Sequence, residues 1–269
     1  MRRVFLVSAL FVGSLAVGVV EGQGPKAVST YLYDDFRSGV INPAKWEGTG
    51  GVTSNTLEFV REIKNEHLRL GAKTYGDRWG DTGSVFDYAE LDLKNAQDIT
   101  SFGARVAVTS ISSLSCTNNP WVSDPEVQLI GGGFFTIGDP GSGTGNVDAY
   151  VKIQEDAPGG ALAVRLAVVL TGASEIGGAD LGTVAIGEPV FLFVRWDRAN
   201  HRFVGGMQKM GMPTVTATVP YALDDSRAAD YTYRGLSVRN NTANCAATPT
   251  FSGAEAEFDG VMVNVPWKP

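Results

Sequence analysis

The chain is poor in the residues that carry much hydrolytic and metal chemistry. It contains two histidines, His67 and His201, and two cysteines among 269 residues. A Ser-His-Asp triad needs a histidine placed beside its nucleophile, and the G-x-S-x-G sequence of a nucleophile elbow does not occur. A structural zinc site needs four ligands, mostly cysteine and histidine. The sequence therefore argues against serine-hydrolase chemistry and against a zinc site.

Charged runs, proline-rich linkers and internal repeats are lacking as well. Their absence favours one large domain over two smaller ones. The formal net charge is −7 at pH 7 and the isoelectric point lies near 4.9. Because nucleic acids and anionic membrane surfaces repel an acidic protein, we expect neither of them as a partner.

The N-terminal segment has the features of a secretory signal. Arg2 and Arg3 precede an uncharged, mostly apolar run from Val4 to Val20, and the small residue Gly22 suits a cleavage site. A membrane anchor is the alternative, but the run is at the short limit for a bilayer span. We expect a signal peptide at 1–22, a linker at 23–30 and a domain at 31–266. The mature protein would be secreted or periplasmic, without membrane association.

The two cysteines, Cys116 and Cys245, each lie in a polar segment. In an oxidising compartment an isolated pair is more often a structural disulfide than a redox or metal site. The sequence therefore predicts a disulfide between them.

The most distinctive local pattern is the apolar stretch Pro189 to Met207. Its first half alternates apolar side chains with a period of two, and the polar turn from Asp197 to His201 separates it from a second apolar arm. This pattern predicts a β-hairpin with two faces to cover, which requires other strands to pack on it. The expected fold is therefore an all-β sandwich.

Further strands are predicted at regular spacing along the chain, and no long helix is indicated. Tyr221 to Asp230 suits a short helix or a turn, and Thr171 to Gly187 suits a glycine-rich loop with one edge strand. The predicted strands are Ser84 to Leu93, Gly103 to Ile111, Val127 to Ile137, Val147 to Ile153 and Leu162 to Leu170.

Three phrases of the sequence, in this order, resemble the concanavalin A-like lectin and glucanase superfamily. Asp35 to Trp46, with the strand pair Arg61 to Leu70, is similar to its opening, although Asn65-Glu66 replaces the usual Asn-Gly turn. Trp196 to Phe203 is similar to its late W-D-x-x-x-x-x-F turn, and Glu257 to Asn264 to its closing strand. The resemblance implies a two-sheet antiparallel jelly-roll sandwich over about Tyr31 to Val265.

The superfamily includes glycoside hydrolases, in which one strand carries E-[IL]-D-x-E or E-[IL]-D-x-x-E and presents two carboxylates to the glycosidic bond. Glu90-Leu91-Asp92-Leu93-Lys94 is the nearest match that we identified. Lys94 takes the place of the acid/base carboxylate, and an ammonium group cannot readily exchange a proton at neutral pH. The segment also comes early in the chain. We therefore interpret it as a half-exposed strand with a polar outer face and predict no catalytic residues.

A second acidic pattern lies in the closing strand. Glu255, Glu257 and Asp259 share their parity with three apolar valines, so that a regular strand would point them at the core. A bulge at Gly260 would leave the acids in solvent. Alternatively they could enter a cleft or hold a cation, and the resemblance implies that Asp259 could bind a structural calcium, which needs six or more oxygens. We favour the bulge and expect no other cofactor.

Aromatic residues in polar loops are the remaining candidates for ligand binding. Sugar sites combine an aromatic platform with a few placed polar groups. The alternative is that the two tryptophans cap the ends of the core, as expected of Trp46 and Trp196. The candidate ligand-binding residues are Tyr75, Asp77, Arg78, Trp79 and Trp121.

These observations favour a non-catalytic module that binds a carbohydrate or interacts with a surface. Its expected partner is a polysaccharide or a glycoconjugate. Two other functions remain: a glycoside hydrolase or polysaccharide lyase with a displaced carboxylate pair, and a structural envelope protein that binds another protein.

Overall fold

The computed structural model describes residues 30–50, 57–78, 80–139, 141–155, 160–172 and 175–267, the side chains of residues 49 and 50 excepted. The predicted signal peptide 1–22, nearly all of the linker 23–30, and Trp79 lie outside these residues. Within the described ranges, no helix is both long and apolar enough to cross a membrane.

The described residues form fifteen strands and two short 3-10 turns, with no α-helix among them. The turns lie at Ala96–Asp98 and Arg198–Asn200. The segment Tyr221 to Asp230 is irregular rather than helical. The strands are β1 Tyr31–Asp34, β2 Trp46–Gly50, β3 Leu57–Lys64, β4 His67–Tyr75, β5 Ser84–Leu93, β6 Ser101–Leu114, β7 Glu126–Thr136, β8 Asn146–Glu155, β9 Leu162–Leu170, β10 Glu175–Val184, β11 Val190–Asp197, β12 Arg202–Lys209, β13 Val215–Pro220, β14 Tyr233–Ala243 and β15 Phe251–Val263.

The strands form two antiparallel sheets. Sheet A has eight strands in the order β13-β12-β11-β6-β15-β4-β3, with β1 also paired to β15. Sheet B has seven strands in the order β10-β9-β8-β7-β14-β5-β2. The predicted all-β, two-sheet antiparallel sandwich is confirmed, and so is the edge strand within the glycine-rich segment, which is β10.

The predicted hairpin is formed by β11 and β12. Its register pairs Leu192 with Met207 and Trp196 with Phe203, so that these apolar residues face apolar partners across the strands. The turn closes because His201 adopts a left-handed backbone with φ of 46°, while the Asp197 carboxylate accepts hydrogen bonds from Asn200 and Arg202. Strand β11 of the hairpin also pairs with β6. This pairing fixes the apolar inner face of the hairpin against sheet B.

Two aromatic groups close the ends of the core, as expected of Trp46 and Trp196. Trp46 is buried, stacks on Phe36 with ring centroids 5.5 Å apart and donates its Nε1–H to Asp34. Trp196 stacks on Phe135 at 5.6 Å. Between them, β-branched and leucine side chains from alternate strand positions fill the space between the sheets.

The closing strand contains the bulge that the sequence analysis favoured. The pairing of β15 with β6 shifts between Asp259 and Met262, and Gly260 has a left-handed φ of 57°. The shift turns the acidic residues outward before the bulge, while Val261 and Val263 point into the core after it. The pairing of β15 with β4 reaches Phe258, and from Val261 onward β1 continues along the same edge of β15.

Candidate functional site

The outer face of sheet B is polar and yet largely buried. On the four strands β5, β14, β7 and β8, every second side chain belongs to the core, and the residues between them point away from it. An outward side chain becomes this buried only when long neighbours and loops surround it. The set, called the polar face here, consists of Tyr88, Glu90, Asp92, Asp124, Glu126, Gln128, Ile130, Gly132, Asp148, Tyr150, Lys152, Gln154, Tyr233, Gly235, Ser237 and Arg239.

The strand register places four of these residues in one row across the sheet. Ser237 on β14 pairs with Glu90 on one side and with Gln128 on the other, and Gln128 pairs with Lys152. Glu90 is 7% exposed, Gln128 1% and Ser237 0%. Residues that are remote in the sequence therefore meet as the floor of the polar face.

Two glycines make room for larger side chains on this floor. A Cβ atom on Gly132 would lie 1.9 Å from the ring of Tyr233, its partner across the strands. A Cβ atom on Gly235 would lie 2.3 Å from Asp92 and 3.4 Å from Glu90. Because neither glycine has a side chain, the Tyr233 ring and the two carboxyl groups lie directly over the backbone.

A charged network crosses the centre of the polar face. The Lys152 ammonium group forms a short ion pair with Glu126, whose other oxygen accepts a short hydrogen bond from the Gln128 amide. Among the described residues, no partner is found for three buried oxygen atoms of this face, those of the Ser237 hydroxyl, the Gln128 amide and the Gln154 amide. Buried polar atoms usually have partners, so these oxygens can accept hydrogen bonds from a ligand or from water.

Asp124 lies at one end of the polar face, immediately before β7. Its backbone N–H donates to Asn241 at 2.8 Å, which joins it to β14. Burial raises the pKa of the Asp124 carboxyl to about 6, and the nearby Glu126 carboxylate adds to the shift. A carboxyl group with such a pKa exchanges its proton near neutral pH, which is a property of general acids and bases.

Asp148 and Tyr150 lie towards the other end. Asp148 accepts hydrogen bonds from the Gly133 N–H at 2.7 Å and the Thr171 hydroxyl at 3.0 Å. Burial nevertheless raises the pKa of Asp148, and it also raises the pKa of the Tyr150 hydroxyl. Both side chains are therefore held in a poorly hydrated environment by fixed partners.

A buried arginine supports the floor from the core side. Arg234 is 2% exposed and donates to the carbonyl oxygens of Ile99, Gly132 and Tyr233. Its guanidinium lies 3.8 Å from the centre of the Phe134 ring. Burial lowers the pKa of Arg234 to about 9. With these three hydrogen bonds to carbonyl oxygens, Arg234 fixes the backbone beneath the Tyr233 ring.

The residues predicted to bind ligand do not all come together. Tyr75 lies on the outer face of sheet A, where its hydroxyl donates a short hydrogen bond to Glu58 and Lys73 lies over its ring. Arg78 is exposed, and Trp79 is outside the described residues.

Asp77 and Trp121, by contrast, share one end of the sandwich. The Asn244 side chain accepts from the Asp77 N–H at 2.7 Å, and its backbone oxygen accepts from Asn119 at 2.7 Å. Asn119 in turn accepts a hydrogen bond from the Trp121 N–H. The Trp121 ring is 52% exposed, and Asp124 of the polar face follows three residues later.

Cys116 and Cys245 meet at the same end, although the structure records both as free thiols. Their sulfur atoms and a carboxylate oxygen of Asp81 all lie within 4.8 Å of one another, beside a cavity of about 260 Å³. A hydrogen bond with Cys245, together with burial, raises the pKa of the Cys116 thiol. In the part of the chain that the structure describes, this is the one group of three side chains close enough to hold a metal ion.

The acidic residues of the closing strand point outward on sheet A. Glu255 forms a two-pronged ion pair with Arg69, at 2.7 and 2.8 Å, and this charge lowers the pKa of Glu255. Asp259, the predicted calcium ligand, belongs to no group of three potential ligands within the described ranges.

Strand β5, which carries the nearest match to the catalytic pattern, is more buried than the sequence analysis expected. Glu90 and Asp92 are 7% and 8% exposed rather than half-exposed, and both pack close to the backbone of Gly235 on the neighbouring strand. Lys94 points away and donates to the Pro43 carbonyl oxygen at 2.7 Å.

The sequence analysis predicted β7, which lies in the middle of sheet B, but overlooked its polar side chains as candidates for the site. Its outer positions carry Glu126, Gln128 and Ile130, so that it has the E-x-D-x-E spacing with an amide and an isoleucine in place of two acids. The available signal was the pair of polar residues within an otherwise apolar run.

No protein-family model matches the sequence, and no curated protein matches it. Among solved structures the chain is similar to concanavalin A-like proteins. A lectin of winged bean, solved with methyl-α-D-galactose, is 11% identical with a TM-score of 0.37 and covers 81% of this chain and 99% of its own. A putative β-glucanase from Mycobacterium abscessus is 14% identical with a TM-score of 0.43 and covers 88% and 99%.

An alginate lyase from Klebsiella pneumoniae is also similar, at 11% identity with a TM-score of 0.38, covering 81% of this chain and 94% of its own. Likenesses of this size do not determine what the chain binds.

Proposed function

We propose that the chain is a carbohydrate-binding module and that its polar face is the binding site. The observation that carries the proposal is the row of Glu90, Ser237, Gln128 and Lys152, in which polar groups are buried on the outside of a sheet. Outer sheet faces normally hold solvated side chains. Burying polar atoms without hydrogen-bond partners costs stability, and a polar ligand can supply the partners that the buried oxygens of Gln128 and Ser237 lack among the described residues.

The aromatic content of the polar face supports a sugar as ligand. Tyr88, Tyr150 and Tyr233 lie among the acids and amides, and the exposed Trp121 lies near the Asp124 end. Aromatic rings stack on the apolar face of a sugar, while amides and carboxylates bind its hydroxyl groups. From Tyr233 to Arg239 the face runs six residues along β14, or about 20 Å at about 3.3 Å per residue, which suits an oligosaccharide.

Binding without catalysis is the form of this function that we favour. A glycosidase needs two suitably spaced carboxyl groups, one of them able to donate a proton. On β7, Ile130 stands two positions after Gln128, where the E-x-D-x-E pattern has its second glutamate. On β5, the ammonium group of Lys94 is directed to the Pro43 carbonyl.

A glycoside hydrolase or lyase is the second candidate, and one observation favours it. Asp124, with a pKa of about 6, lies near Glu126, so the polar face holds a carboxyl group that can exchange a proton beside a second one that forms an ion pair with Lys152. Release of reducing ends or of unsaturated products from β-glucan, chitin, xylan and alginate tests this candidate. Turnover that Asp124→Asn abolishes would establish it.

A glycan array followed by calorimetry tests the binding proposal. Gln128→Leu replaces the amide at the centre of the floor by an apolar group of similar size, and we expect it to lower the affinity for the best glycan at least tenfold. Gln208→Leu is the matched control, because Gln208 lies exposed on the outer side of sheet A. Equal affinity in both variants would contradict the proposal. A protein that binds no glycan on the array would favour the scaffold that binds another protein.

We also propose that the chain is exported and that Cys116 and Cys245 form a disulfide. Oxidation would remove two protons and two electrons, which pass to the disulfide of an exported thiol oxidant. The closed loop of about 130 residues would stabilise the fold by up to about 4 to 5 kcal/mol by chain-entropy reasoning. Mass spectrometry of the protein purified from the culture medium or periplasm tests both ideas. Two alkylated thiols there, or an uncleaved N-terminus, would contradict them.

A further inference from the structure

The polar face carries more negative than positive charge. On its four strands and the residue that leads into β7, five carboxyl groups face outward with two cationic groups. The carboxyl groups belong to Glu90, Asp92, Asp124, Glu126 and Asp148, and the cations to Lys152 and Arg239. We infer that the site selects glycans bearing free amino groups, binds neutral glycans more weakly and excludes glycans with acidic groups. This inference rests on the proposed function.

The two outward cations are already engaged with other groups of the protein. Lys152 is paired with Glu126. Arg239 lies over the Phe86 ring at 4.9 Å and near the Tyr150 ring at 5.9 Å. An acidic sugar would therefore have to displace an existing pair or an aromatic contact in order to reach a positive charge.

Two further arginines lie on the core side of the sheet and partly balance the negative charge of the carboxylates. Arg61 reaches from sheet A and donates to the Glu90 carbonyl oxygen at 2.9 Å, and its charge acts on Asp92. Arg234 is held by three carbonyl oxygens below Tyr233. Both stabilise the acids from the core side, and a ligand that approaches from outside meets the carboxylates first.

The uncharged groups on the floor also favour a donor-rich ligand. The amide oxygens of Gln128 and Gln154 have no hydrogen-bond partner among the described residues, and an amide oxygen can only accept. An ammonium group supplies three donors and a positive charge, whereas a carboxylate supplies acceptors alone. In a partly buried face, where charges interact more strongly than in water, a second negative charge is repelled and a positive one attracted.

The test compares three tetrasaccharides of equal length by calorimetry at pH 6.5 and low salt. One is built of glucosamine with free amines, one of N-acetylglucosamine and one of galacturonate. We expect the amine form to bind at least tenfold more tightly than the acetylated form, and the galacturonate form not to bind. The double variant Glu90→Gln/Asp92→Asn removes two of the five carboxyl groups and should lower the ratio of the first two affinities at least threefold. Glu257→Gln, on the outer side of sheet A, should leave the ratio unchanged.

The outcomes separate the inference from the proposed function. Galacturonate binding as tightly as the neutral sugar, or a preference for the amine that is undiminished in the double variant, would overturn the inference and leave the function in place. If the folded protein binds none of the three and no other glycan on the array, the proposed function itself fails. Circular dichroism of each variant verifies that the sandwich is formed.

Discussion

Replacing Gly132 by alanine should disturb the polar face with a single methyl group. The new Cβ atom would lie 1.9, 2.2 and 2.6 Å from three atoms of the Tyr233 ring. Ordinary contacts between carbon atoms lie at about 3.5 to 4.0 Å, so the ring has to retreat by about 1.5 to 2 Å. The backbone of Gly132 does not have a positive φ, and alanine is compatible with it. The perturbation is thus confined to the position of the ring.

The expected cost in stability is modest. Overpacking of this kind costs about 1 to 3 kcal/mol. Loss of glycine flexibility in the unfolded chain offsets about 0.4 to 1 kcal/mol of it. We therefore expect the free energy of unfolding to fall by about 1 to 2 kcal/mol, while affinity for the best glycan falls at least tenfold because the ring leaves its place.

Sheet A offers a control with nearly the same geometry. Gly206 lies across the strands from Phe193, and a Cβ atom on Gly206 would lie 2.0 Å from that ring. Gly206→Ala should lose a similar amount of stability in urea unfolding and bind glycan like the unmodified protein in calorimetry. Equal losses of affinity in both variants would show that binding follows stability alone. Full affinity in Gly132→Ala would show that Tyr233 takes no part.

Two further predictions concern single side chains. Trp121→Ala should leave the melting temperature nearly unchanged but weaken glycan binding, whereas Trp46→Ala should cost about 3 to 5 kcal/mol because its ring is buried. Equal destabilisation by both would refute a platform role for Trp121. Because the pKa of Asp124 rises to about 6 on folding, the native protein should lose stability as pH rises from about 4 to 6. Asp124→Asn should remove this loss of stability. If the urea midpoint of the variant depended on pH as it does in the unmodified protein, the argument would be refuted.

Much of the fold could be predicted because its signals are local. The alternation in β11, the polar turn at Asp197 and the apolar return in β12 lie within nineteen residues, and the hairpin formed as expected. The bulge at Gly260 could also be predicted from the sequence, since a regular strand would have placed three acids in the core. The period of two would have buried these charged side chains, and a bulge at Gly260 was a way to turn them outward.

The site was harder to predict from the sequence, because its residues become neighbours only through the register of the strands. Glu90, Gln128 and Ser237 come from three distant segments, and only their pairing across β14 makes them neighbours. Glu126 and Gln128 lie in a strand whose other residues, apart from Thr136 at its end, are apolar or glycine, so the sequence suggests complete burial. The positions of the loop residues were harder still to predict. No sequence pattern indicates that Tyr75 lies on the outer face of sheet A while Asp77 lies at the end of the sandwich that holds the Trp121 loop.

The pairing of β1 with β15 makes the first strand of the domain depend on the last. Tyr31 lies opposite Val263, about 230 residues later in the chain. Sheet A therefore cannot be completed until nearly the whole domain has been synthesised, and a nascent chain keeps that edge of the sheet unpaired. The same adjacency brings the two ends of the domain together. A short linker could join them, and a circular permutant with new ends in the exposed turn at 141–143 should retain the fold.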